Sequence, residues 1–117
     1  MIKPSILDNK LILEVEGFDK LWTLKSRLEF NINHVKNVRI EKLSSFKGYQ
    51  GIRSPGTSIP HVIRAGTFIQ NNKKVFWDVH KAEEVVVLEL DDEAFKELVI
   101  EINDPEGFVT KLQEKLG

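Results

Sequence analysis

Apolar residues recur at every second position in short runs along this chain. Leu11, Leu13 and Val15 alternate with Glu14 and Glu16, and Val75, Trp77 and Val79 alternate with Phe76 and Asp78. Near the end Leu98, Ile100 and Ile102 face one way and Glu97 and Glu101 the other. A repeat of two is the repeat of a strand, whose side chains point alternately to opposite faces. The pattern predicts strands over Leu11–Glu16, Arg27–Ile32, Val35–Lys42, Val62–Ile69, Lys74–His80, Glu84–Leu90 and Phe95–Ile102. Gly17 breaks the first, and a short helix is expected over Asp19–Leu24. Turns are expected near Asn33-His34, at Asn71-Asn72 and at Asp91-Asp92-Glu93, because Asn and Asp tolerate turn backbone. Ser44–Pro60 holds Gly48, Gly51, Pro55, Gly56 and Pro60, a density that predicts irregular structure. On strand alternation, Asp78 and His80 are expected on an exposed face opposite Trp77 and Val79.

The one strong helix signal comes last. Asp104 suits an N-cap, Pro105 the first helical position, and Glu106 the positive end of the helix dipole. Phe108, Val109, Leu112 and Leu116 then form one apolar stripe. Such a helix must lie on a sheet or close a barrel mouth.

A chain of 117 residues is the size of one domain, and residues 1–117 are read as a single unit. With 41% hydrophobic and 30% charged residues it can bury a core, which excludes a disordered chain. The absence of cysteine excludes disulfides, thiolate metal sites and cysteine nucleophiles, and fits a cytoplasmic location. The late apolar run Val85–Leu88 is far short of the roughly 18 residues of a membrane span. Met1–Lys10, with Pro4, Asp8 and Asn9, does not read as a signal peptide. Charge is divided: Lys20–Arg64 carries nine basic and two acidic residues, Val75–Gly117 four basic and twelve acidic. Two halves of one small domain must pack together, so their mutual attraction is the simpler reading than a basic surface for an anionic partner.

The chemistry-bearing residues form no catalytic set. His34, His61 and His80 lie far apart in sequence, and no metal site or cofactor is expected. Gly51–Ser58 is a near miss for a phosphate loop: it lacks the lysine, and Pro55 removes a donor. No Gly-x-Ser-x-Gly elbow exists. The carboxylates of Glu83–Glu106 fall on turns and outward strand positions, where solvation explains them. Trp22 and Trp77 read as core anchors. Tyr49, between Gly48 and Gly51, reads as a contact residue on a loop.

Gly51-Ile52-Arg53-Ser54-Pro55-Gly56-Thr57-Ser58-Ile59-Pro60-His61-Val62-Ile63-Arg64-Ala65-Gly66-Thr67-Phe68 resembles the central signature of a bacterial pleckstrin-homology-like (PH-like) family. Val75-Phe76-Trp77-Asp78-Val79-His80 is similar too, with an aliphatic hairpin and Asp104-Pro105-Glu106 after it. At His61 the family pattern has glycine. The resemblance implies a mainly β fold: a partly open barrel or sandwich of about seven antiparallel strands capped by one helix. It also implies a non-enzymatic binding module for protein partners or for self-association. The alternative is a binder of a small anion or lipid headgroup at the glycine-rich loop, through Lys47, Tyr49, Arg53, Ser54, Thr57, Ser58, His61 and Arg64. The usual phosphoinositide motif is unmatched, since Gly17–Lys25 holds only two lysines. Neither nucleic acid nor stable membrane binding is expected.

Overall fold

The computed structural model describes residues 2–15, 27–42, 52–59, 63–70, 72–79 and 83–116; for 52–59, 63–65 and 70 this concerns the backbone alone. The expected helix over Asp19–Leu24, together with Trp22, falls outside them. The described residues form nine strands and one α-helix. These are β1 (Ile2–Leu7), β2 (Lys10–Val15), β3 (Arg27–Asn31), β4 (Val35–Lys42), β5 (Ile52–Ile59), β6 (Ile63–Gln70), β7 (Lys73–Val79), β8 (Glu84–Leu90), β9 (Glu97–Ile100) and α1 (Pro105–Leu116). A 3-10 turn, Ile32–His34, joins β3 to β4.

The strands form two sheets, β1-β2-β3 and β4-β8-β9-β7-β6-β5. The expected set of antiparallel strands needs two changes. Nine strands lie among the described residues, and β7 pairs with β9 in parallel, because β9 inserts between β7 and β8. β1 was not foreseen: Ile2, Pro4 and Ile6 alternate with Lys3 and Ser5, but Pro4 reads as a breaker. Asp8 turns the β1–β2 hairpin at a φ of 54°, a region that short polar side chains visit. β5 was not foreseen either. Its ladder shifts register between Arg53 and Gly56, and that irregularity admits Pro55, which has no N–H to give.

The main core lies between the three-stranded sheet, one face of the six-stranded sheet and α1. Leu11, Leu13 and Phe30 meet Phe76, Leu88, Leu98 and Ile100 there, with Phe108, Val109 and Leu112 from the helix. The opposite face of the six-stranded sheet buries a second cluster: Phe68, Val75, Trp77, Val79, Val85, Val87 and Val99. Residues Val75–Val79 and Val85–Leu88 are therefore buried on both faces. Asp78 was expected to be exposed and is instead fully buried. The cause is that Asp78 shares the Phe76 face of β7, which carries the main core, while Trp77 and Val79 lie on the opposite and also buried face.

α1 begins where the side chains dictate. The Gly107 amide donates to Asp104 Oδ1 at 3.1 Å and the Phe108 amide to the Asp104 carbonyl at 3.1 Å. A Cβ at Gly107 would lie 2.2 Å from Asp104 Oδ2, so the cap and the glycine require each other. Phe108, Val109 and Leu112 face the core as expected, whereas Leu116 is exposed at the helix end. Gln113 Nε2 donates to the Val38 carbonyl at 3.4 Å, which ties α1 to β4 at the rim of the six-stranded sheet.

Candidate functional site

A groove of about 590 Å³ opens where β1 and α1 diverge. Its geometry follows from one hydrogen bond. The Ile2 amide donates to the Glu101 carbonyl at 3.4 Å, and Ile2 bridges Ile102 in parallel. Backbone groups alternate in direction along a strand, so Pro4 and Ile6 aim at the same outer edge as Ile2. After Ile102 the chain turns away through Asn103 and Asp104 into α1, and the edge at Pro4 and Ile6 is left uncovered among the described residues. Ile2, Pro4, Ile6, Ile102 and Phe108 give the groove an apolar lining, and exposed Lys3 and Lys111 supply cations from β1 and α1. Pro4 withholds the donor that a neighbouring strand would take, which blunts this edge against continuous pairing.

The sequence-predicted residues that are described lie on β5 and β6 and are absent from the groove lining. Lys47, Tyr49 and His61 fall outside the described residues. Arg53, Ser54, Thr57 and Ser58 lie on β5, in a segment expected to be irregular, and Arg64 lies on β6. The register brings Ser58 opposite Arg64 and Thr57 opposite Ala65, but sets Arg53 opposite Phe68. Arg64 and Phe68 are four positions apart on β6, about 13 Å at roughly 3.3 Å per residue. The backbones of Arg53 and Arg64 are thus at separate ends of the strand pair. The groove residues were missed because β1 was missed. The alternation of Ile2, Pro4 and Ile6 ahead of Asp8-Asn9 is the signal that would have found them.

Charged arrangements also lie outside the groove. Arg39 joins β4 to β8, its Nε 2.8 Å from Glu41 Oε1 and its Nη1 2.7 Å from Glu89 Oε2. Asn37 Nδ2 also donates to Glu89 at 3.0 Å, and this bond, with Arg39, holds the Glu89 carboxyl below its ordinary range. His34 reaches Glu93 across the β8–β9 turn, with Nδ1 2.5 Å from Oε2. Burial pushes the Asp78 carboxyl up to about 6, opposed by the N-terminal ammonium and aided by the charge of Glu101. Asp78 does not line the groove.

Among the described residues no three His, Asp or Glu side chains are placed to hold a metal. No described helix is long and apolar enough to cross a membrane. No family model, no curated protein and no solved structure matches the chain.

Proposed function

We propose that this domain is a non-enzymatic interaction module that receives an extended segment of a protein partner in the groove between β1 and α1. The observation that carries the reading is the fork itself: an apolar groove beside backbone groups that no described residue covers. A volume of about 590 Å³ lies within the roughly 300–1,000 Å³ typical of binding clefts. An apolar segment would gain burial there, while Ile6 offers it both a backbone donor and an acceptor. A partner segment is preferred to edge-to-edge self-association because Pro4 interrupts the β1 edge and α1 is tied to β4.

The finer assignment to the PH-like class is also our reading. The segments Gly51–Phe68 and Val75–His80 support it, as does the order of many strands followed by one packed helix. The parallel β7–β9 pairing is a departure from an all-antiparallel barrel. Within the same reading the domain works in the cytoplasm.

The test is amide shift mapping on the isotopically labelled chain with heptapeptides that alternate valine with serine, glutamate or lysine. At least one series is expected to shift Lys3, Ser5, Ile6, Ile102 and Phe108, and Ile6→Asp is expected to weaken that binding at least tenfold. Peptides that shift no groove residue, or an affinity unchanged by Ile6→Asp, would overturn the reading.

A further inference from the structure

Asp91, Asp92 and Glu93 form the turn between β8 and β9, three like charges in succession. Among the described residues, the basic side chain of His34 meets them. His34 Nδ1 is 2.5 Å from Glu93 Oε2, and its Nε2 is 4.0 Å from Asp92 Oδ2. The backbone joins the contact, since the Asp91 amide donates to the His34 carbonyl at 2.8 Å. His34 belongs to the 3-10 turn between β3 and β4, whose Ile32 amide donates to the Asn9 carbonyl at 2.8 Å. This one turn thus joins the tip of the β1–β2 hairpin to the acidic tip of the β8–β9 hairpin, across the two sheets.

We propose that His34 is a protonation-controlled latch: protonated, it seats the acidic β8–β9 tip on the 3-10 turn, and neutral, it releases that tip. A protonated ring donates a charge-assisted bond to Glu93 and attracts Asp92, and such bonds are roughly twice as strong as neutral ones. A neutral ring loses both charge terms and leaves three carboxylates facing one another. Release stops at Phe95, which is buried edge-to-face against Phe76 at 5.6 Å. The groups that act on the ring are Glu93, Asp92 and Asp91, all from the turn. Lys111, Glu114 and Lys115 on α1, Asp8 on the β1–β2 turn and Lys36 on β4 make no ion pair with it.

The sign follows from linkage. The hydrogen bond to Glu93, opposed by desolvation and aided by the charges of Glu93, Asp92 and Asp91, raises the His34 pKa above its ordinary value. The latch is therefore fully closed below about pH 6.5, the unfolded value, and opens as pH rises through the higher folded value.

Two measurements on the full chain decide it. In a ring-proton titration by NMR, His34 is expected to titrate above free histidine and to fall toward it in Glu93→Gln. The Asp91 amide, corrected for intrinsic exchange, is expected to gain protection several-fold as pH falls through that titration. In His34→Gln its protection should not change with pH. A His34 titration indifferent to Glu93→Gln, or an Asp91 protection whose pH dependence survives His34→Gln, would overturn the latch.

Discussion

At the scale of single residues, two carboxyl groups show how placement decides what charge does. Asp104 is exposed and engaged at the helix start, where a carboxylate meets the positive end of the dipole. Asp78 is fully buried, and burial favours its neutral form. Its folded pKa of about 6 exceeds the unfolded value of about 3.9. The folded state thus holds the extra proton between these values, and stability falls as pH rises from about 4 to 6. Asp78→Asn keeps the shape and removes the ionisation. Urea unfolding should then show a flatter profile across that window, and at pH 7 a variant more stable than the parent by up to about 3 kcal/mol. A variant less stable than the parent at pH 7 would show that ionised Asp78 is held favourably. The sequence could not place this residue. Period-two alternation assumes one wet face, but here the face of Phe76 and Asp78 packs on the main core while the Trp77 face buries a second cluster.

Among the elements, those with a strong apolar run or alternation between turn residues, or with a capping signal, were legible. β4 spans Val35–Lys42 and β8 spans Glu84–Leu90 as expected, and α1 starts at Pro105 behind an Asp104 cap. β1 and β5 were not legible, and proline is the reason in both. Pro4 and Pro55 each argue against a central strand, but β1 and β5 end their sheets, where a missing donor is tolerated. The β7–β9 parallel pair was not legible because hairpin turns are local signals and strand insertion is not. The helix is the element whose docking matters most. Leu112 is fully buried against both the strands and the helix's own Phe108 face. Leu112→Ala should cost about 2–5 kcal/mol by denaturant unfolding, with little structural change elsewhere. An unchanged midpoint would mean that α1 is not seated on the core, and the groove would lose its second wall.

At the scale of the whole molecule, part of the divided charge of the sequence meets across one strand pair. Basic β4 pairs with acidic β8, and Arg39 binds Glu89 across the pair. Of the candidate loop residues, Arg53 and Arg64 are set apart along the backbone for a related reason. A strand pair spreads Arg53 and Arg64 along its length, while chain divergence after Ile102 creates the groove far away in sequence. The alternation of Ile2, Pro4 and Ile6 is local, but its meeting with residues 102–111 has no local signature, so the fold reveals the junction. The central claim is that partners enter this junction. A photo-activatable side chain placed at Ser5, which lines the groove, and separately at Thr110, which is exposed outside it, tests that claim in living cells. Irradiation should yield a discrete protein adduct from position 5 and none from position 110. Adducts of equal yield from both positions, or from position 110 alone, would contradict it.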